Sequence, residues 1–250
     1  MMLSVLQQTS GTWINVATIL IGSAIGLRVQ GRLPIRLQQA LTQGLGLFTL
    51  FLGTVMAQSM LKAKSGVVDG MILGLLAIVL GGIVGEMLQI DDRLTQLGDW
   101  LKAQVKGGGQ FTEGFVATSL LFCVGPMAII GSLNNGLSGD VRILIVKAVM
   151  DGLTSIAFSS TYGIGVSFSS GMILIYQGSL SIAASFLTQW LGNPATDPRV
   201  ALVSGVGGLM LMGIGLNLLE IIVVRVSSFL PALLLAPILY AIAEAIQTRL

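Results

Sequence analysis

A bundle of membrane-spanning α-helices is the fold class this sequence predicts, and three features predict it. Only 10% of the residues are charged, 54% are hydrophobic and mean hydropathy is +0.90; soluble domains carry roughly 25% charged residues. The apolar residues fall in continuous runs close to the length of about 20 that a helix needs to cross a bilayer. Gly fills 33 of the 250 positions, and dense small residues are what let helices approach each other in lipid. So little charge cannot cover a soluble enzyme. A closed β-barrel would show segments of about 10 residues alternating apolar and polar, whereas these runs are longer and unbroken.

In chain order the runs predict eight spans, at 12–28, 41–61, 67–88, 111–133, 143–165, 172–191, 200–221 and 227–246, within a single integral membrane domain covering 1–250. The first follows Met1–Ser10, which has no positive charge; a signal peptide would carry a basic start, so this segment reads as a retained helix. Between the first two spans, Arg28–Gln39 holds Leu33, Pro34, Ile35, Arg36 and Leu37 and opens a short interfacial turn. The third span places Gly70, Gly74, Ala77, Gly81 and Gly85 on one helical face, and Gly22 and Gly26 repeat the spacing in the first. Such faces serve packing within the chain, or else a homo-oligomer interface, with a dimer the preferred form, or a sliding surface. Asp69 stands where an N-terminal cap belongs.

After the third span, Ile90–Val105 sets Leu94, Leu97 and Leu101 at helical spacing beside Asp91, Asp92, Arg93, Asp99 and Lys102, with Trp100. That pattern predicts an amphipathic helix on the membrane surface, or a soluble connector with an apolar face. Gly107, Gly108 and Gly109 end it. The fourth span is broken by Gly125 and Pro126, and Gly131-Ser132-Leu133-Asn134-Asn135-Gly136 follows. Pro removes an amide donor in mid-membrane, so freed carbonyls near Val124 and the amides of Asn134 and Asn135 can line a site; a simple proline kink is the alternative. Pro231 and Pro237 are expected to kink or split the last span.

The fifth span is the richest in polar groups. Lys147, Asp151, Ser155 and Ser159 recur every four residues on one face, with Thr154 and Thr161 alongside. Lys147 and Asp151 can pair at i,i+4. The carboxylate and hydroxyls form a ladder of oxygens that suits Na⁺ at Asp151 and Ser155, or a proton carried on Asp151. The alternative is a structural ion pair with hydroxyls bonded to their own i−4 carbonyls. Asn15 in the first span and Asn217 with Glu220 in the seventh are further ligand candidates, Glu220 and Arg225 alternatively making an interfacial pair. Glu86, Glu113 and Glu244 lie near span ends, where hydration accounts for them.

Lys and Arg orient the chain weakly with both termini outside. The cytoplasmic loops then hold Arg28, Arg32, Arg36, Arg93, Lys102, Lys106 and Arg225, and the outside holds Lys62, Lys64, Arg142, Arg199 and Arg249. Three stretches look alike: Thr42–Gly46 leading to Gly53-Thr54, Asp151–Thr154 leading to Thr161–Gly163, and Ser204–Gly208 leading to Gly213–Gly215. They fall in the second, fifth and seventh spans, an odd number of crossings apart for second and fifth and for second and seventh. Inverted repeats of the secondary-transporter kind would look so, as would chance similarity among Gly-rich runs.

The absence of His excludes Ser-His-Asp triads and His-based zinc sites, and the single Cys123 excludes an internal disulfide or a thiolate cluster. Net charge +2 with scattered basic residues offers no stripe for nucleic acid. Phe111–Val116, Gly125–Ser132, Gly11–Asn15, Asp151–Ser155, Tyr176–Gly178 and Leu230–Leu234 carry a resemblance over nearly the whole chain. By these stretches, and above all by the Gly-Ser…Gly-Leu-Ser-Gly-Asp run at 131–140, the sequence resembles the YdfK/YqgA family of bacterial inner-membrane proteins, a domain of unknown function. The resemblance implies a multi-pass protein of the bacterial cell membrane and brings no agreed binding residues.

The residues themselves point to a small secondary transporter of a solute or ion, cation-coupled, with no cofactor and a monovalent cation as coupling ion. Its expected site lies between the broken fourth span and the polar face of the fifth. A non-transporting scaffold or regulator that binds partner helices through its Gly faces is the alternative. An intramembrane enzyme fits least, for want of any recognisable catalytic set.

Overall fold

The computed structural model describes the chain except for residues 1–3, 31–33, 64–67, 106–107, 185–195 and 248–250. Arg32, Leu33, Lys64, Lys106, Gly107, Arg249 and the end of the expected 172–191 span lie outside the described residues. Among the described residues the chain is helical, without strands. The helices are α1 Val5–Gln8, α2 Ser10–Val29, α3 Ile35–Ala57 continued by a 3-10 turn over Gln58–Lys62, α4 Gly70–Met87 and α5 Ile90–Gln104. There follow α6 Phe111–Cys123, α7 Pro126–Ser138, α8 Arg142–Tyr162, α9 Gly165–Ile182, α10 Pro198–Leu218, a 3-10 turn over Val226–Phe229 and α11 Leu230–Gln247.

Among the described residues six stretches are long and apolar enough to cross a membrane, and the bent α6–α7 pair makes a seventh. The remaining expected span, 172–191, corresponds to α9, which has the length but fewer apolar residues. It starts at Gly165 rather than 172, because Gly163 at φ +81° ends α8 after Tyr162. The serines that disguise its start in the sequence turn their hydroxyls inward on the helix: Ser169 donates to the Val166 carbonyl and Ser170 to that of Ser167.

The chain packs as two compact units interleaved along the sequence. One comprises Met1–Leu45, Thr95–Cys123 and Met127–Pro194; the other comprises Gly46–Leu94, Val124–Pro126 and Ala195–Leu250.

In the second unit the apolar pattern is the reverse of a soluble helix, with small residues inside and large ones outside. On α4, Gly70, Gly74, Ala77, Gly81 and Gly85 are buried, while Ile72, Leu75, Leu76, Val79 and Ile83 are exposed. Gly81 lies against Ala232 and Gly85 against Ser228, so α4 and α11 run antiparallel at close range. Gly53 of α3 meets Gly208 of α10, and Gly46 meets Gly215 two turns away, an antiparallel contact between two Gly pairs of equal spacing. These small-residue faces are filled within the chain. Asp69 caps α4 as expected, accepting from the Met71 amide at 2.8 Å, and Asp197 does the same for α10 through the Arg199 amide. Pro237 does not split the last helix. Pro231 sits in the first turn, where its missing N–H has no partner to lose, and α11 runs on through Pro237.

In the first unit, α2 and α8 run parallel, with Gly22 against the Gly152 carbonyl and Gly26 against that of Ile156. The α6–α7 pair bends by 61°. Phe111, at the start of α6, abuts Gly165 at the start of α9, whereas Gly136 near the end of α7 abuts Ser181 near the end of α9. A re-entrant hairpin would return both ends to one end of α9. The pair traverses its length, so it is one broken span. The amphipathic stretch is helical as α5, whose Gly98 packs on Thr112 and Phe115 while Trp100 stays exposed.

Candidate functional site

The first unit has a polar core built from α2, α8 and α9. The four-residue spacing on α8 buries Lys147, Asp151, Ser155 and Ser159 on one face. Lys147 and Asp151 form an ion pair at i,i+4 and are 6% and 8% exposed. Asp151 lies nine residues into a helix of 21, about 14 Å from its start at 1.5 Å per residue. Asn15 Nδ2 donates to Asp151 Oδ2 at 2.9 Å and, more weakly, to Gln177 Oε1 at 3.4 Å. The Lys147 ammonium stands 6.0 Å from the centre of the Phe122 ring, the outer limit of a cation–π contact.

The groups stack in layers along the helices. Ile19 packs with Ile173 while Asn15 meets Gln177, so α2 and α9 are antiparallel. By helix spacing, the backbones of Thr12, Lys147 and Ser181 lie one turn from those of Asn15, Asp151 and Gln177, on the side away from Ile19, and the Lys147 side chain reaches back to Asp151. On the other side Ile19, Phe122 and Ile173 form an apolar plug. Beyond the plug come further hydroxyls, Ser23 on α2 and Ser159 on α8.

Several buried atoms of this core have no hydrogen-bond partner among the described residues: Thr12 Oγ1, Asn15 Oδ1, Gln177 Nε2 and Ser181 Oγ beside the ion pair, and Ser23 Oγ and Ser159 Oγ beyond the plug. Each buried group left unpaired costs about 1–3 kcal/mol. Taking two charges out of water costs several kcal/mol per ion before their attraction offsets it. A core arranged in this way is poor economy for stability alone and well suited to receiving a polar guest.

The structure brings Asn15 against Asp151 and distributes the other expected residues elsewhere. Ser155 Oγ donates to the Asp151 carbonyl at 2.7 Å, the i−4 back-bond that the sequence left open as an alternative. Thr154 is half-buried on the neighbouring face. Asn135 anchors the start of α2: its Oδ1 accepts from the Gly11 amide at 2.9 Å, and its Nδ2 donates to the Gln7 carbonyl and Ser10 Oγ. Asn134 is half-buried, and its carbonyl accepts from Ser138. Gly125, at φ +148°, lies in the break between α6 and α7, and Pro126 is the first residue of α7; both fall in the second unit. Asn217, also in the second unit, closes a turn by bonding both the amide and the carbonyl of Val224, at 2.7 and 2.8 Å. Arg225 pairs with Glu86 at 3.3 Å rather than with Glu220, whose positive φ of 56° ends α10 and turns the chain away.

Gln177, Thr12 and Ser181 also belong to this core, although no repeating spacing pattern in the sequence singles them out. Gln177 was visible as a long amide in an otherwise apolar stretch of α9, and Thr12 lies three residues before Asn15, on its face.

Comparison with known proteins finds relatives over nearly the whole chain. The chain is 33% identical over 235 residues to "Uncharacterized protein YqgA" of Escherichia coli K12, covering 90% of this chain and 94% of that one. It is 26% identical over 240 residues to "Uncharacterized membrane protein YdfK" of Bacillus subtilis 168, covering 96% and 99%. No solved structure matches it. The family described as "Protein of unknown function (DUF554)" matches residues 10–241, nearly the whole chain. This multi-pass α-helical membrane protein therefore belongs to the DUF554 family.

Proposed function

We propose that the protein is a secondary transporter of the bacterial inner membrane that carries a small polar solute through the core of its first unit. The observation that carries this reading is the buried Lys147–Asp151 pair, midway along a spanning helix, beside side chains with open hydrogen-bonding positions. Ionisable residues at such depth are expensive and mark substrate or ion pathways. Asp151 is the point at which a monovalent cation or a proton couples, and it does so when Lys147 releases it. The protein is not an enzyme and uses no cofactor. Its partners are the lipid bilayer, the solute and a second copy of itself, and it does not bind nucleic acid. The scaffold alternative rested on free Gly faces, and those of α2 and α4 are filled within the chain.

The test is flux in proteoliposomes under imposed Na⁺ and pH gradients, read by current on a solid-supported membrane. The wild type gives gradient-dependent current, and Asp151→Asn abolishes it. Equal currents from Asp151→Asn and wild type, or none from folded wild-type protein in any gradient, would refute the proposal.

A further inference from the structure

The open positions around the ion pair divide by chemistry. Both side-chain bonds to Asp151 fall on Oδ2, one from Lys147 and one from Asn15, which leaves Oδ1 without a partner among the described residues. Asn15 Oδ1 is also unpartnered, so the α2–α8 side offers two acceptors. Lys147 has three N–H groups and among the described residues gives one hydrogen bond, to Asp151. Gln177 Nε2 gives none among the described residues. The α8–α9 side therefore offers donors.

The bonds around Asp151 fix the orientation of both amides. Flipping Asn15 would set its oxygen against the Asp151 carboxylate. With Asn15 Nδ2 held there, Gln177 must turn Oε1 towards it and leave Nε2 open. Thr12 and Ser181 can donate or accept as the guest requires.

The charges of the core cancel. While Lys147 and Asp151 stay paired, a bare cation or anion bound here would leave an unbalanced charge out of water, the costly case. A guest with no net charge but both charges present would satisfy each side. We infer that this core binds a small zwitterion with a primary ammonium and a carboxylate on the same carbon or on adjacent carbons, a free amino acid in chemical class. The ammonium lies on Asp151 Oδ1 and Asn15 Oδ1, and the carboxylate on Lys147 and Gln177 Nε2. Its two charged ends sit side by side, as do those of Lys147 and Asp151, so the guest's ion pair is antiparallel to the protein's. This deepens the transport reading and rests on the same site.

The test uses the full chain purified in detergent, with glycine, L-alanine, L-serine and β-alanine as probes. Ethylamine and propionate serve as single-charge controls. Melting temperature and equilibrium dialysis are the readouts. At least one of the zwitterions raises the melting temperature saturably, and neither control does at the same concentration. Gln177→Met removes one donor to a carboxylate without stranding a charge and weakens binding about tenfold or more. Asp151→Asn abolishes it, and if that variant fails to fold, Gln177→Met decides the matter. No binding by any of the four zwitterions to folded protein, binding equalled by ethylamine or propionate, or unchanged affinity in Gln177→Met would overturn the inference. Cation-driven flux that Asp151→Asn abolishes, without zwitterion binding, would sink the ligand assignment and leave transport standing. Zwitterion binding without flux would do the reverse.

Discussion

Replacing Gly81 by Ala adds one methyl group where α4 crosses α11. A Cβ built at Gly81 falls 2.5 Å from the Ala232 Cβ, 2.5 Å from its amide nitrogen and 2.6 Å from its Cα. Carbon atoms in contact sit about 3.5–4.0 Å apart, so the helices must separate by roughly 1 Å or more. No flexible side chain can move aside, because the opposing atoms are backbone and a Cβ. Overpacking of this kind costs about 1–3 kcal/mol, occasionally more, offset in part by the gain of about 0.5–1 kcal/mol for Ala over Gly in a helix. Gly44→Ala is the matched control. It lies in α3 with nothing within 4 Å of its Cβ, so it keeps the propensity gain without the clash. Thermal melting of both variants in one detergent reads the difference. Gly81→Ala melts below wild type and Gly44→Ala at or above it. Equal melting temperatures for the two would refute the close-packing argument for these glycines.

Other substitutions separate structural from ligand roles. Asn135→Ala strands the buried Gly11 amide at the start of α2 and lowers stability by about 1–3 kcal/mol; a stability equal to wild type would show that Asn135 does not anchor the helix. Ile19→Ala opens a cavity in the apolar plug and costs about 2–5 kcal/mol, whereas Leu153→Ala, on the outer face of the same unit, stays within about 0.5 kcal/mol of wild type by melting. Asp140, in the turn before α8, is held at about 2 by hydrogen bonds from Arg142, below its ordinary 3.8. A depressed carboxyl stabilises the fold above its ordinary value and loses that contribution as pH falls towards 2. The small melting deficit of Asp140→Asn is therefore constant from pH 5 to 8, and a deficit that varies across that window would contradict the pairing.

The helical spans, the Asp69 cap and the small-residue faces were legible in the sequence because each rests on spacing within a few residues. The i,i+4 pairing of Lys147 with Asp151 was legible for the same reason. What joined them was not. Asn15 and Gln177 stand 162 residues apart in the chain, and no local pattern shows that α2 and α9 bring them together. Asn135 looked like a ligand because an amide near a helix break has open valences on paper; the start of α2 takes them up. Glu220 and Arg225 are five apart, close enough to suggest a pair, but the chain leaves its helix at Glu220 and Arg225 reaches Glu86 instead. The start of α9 was obscured by its serines, whose polarity counts in a hydropathy reading but is satisfied by their own helix.

The central claim is that the layer containing Thr12, Lys147 and Ser181 opens to a polar guest from water, although every residue in it is buried here. Cys123 is the only cysteine in the chain, so its replacement by Ala gives a background in which a new thiol is unique. In that background Thr12→Cys, reconstituted in lipid, reacts with a membrane-impermeant, water-soluble thiol reagent, and a bound guest slows the reaction. Leu153→Cys, on the outer face of α8, does not react. If folded Thr12→Cys is as inert as Leu153→Cys, the polar core never meets water, and this account of the protein is wrong.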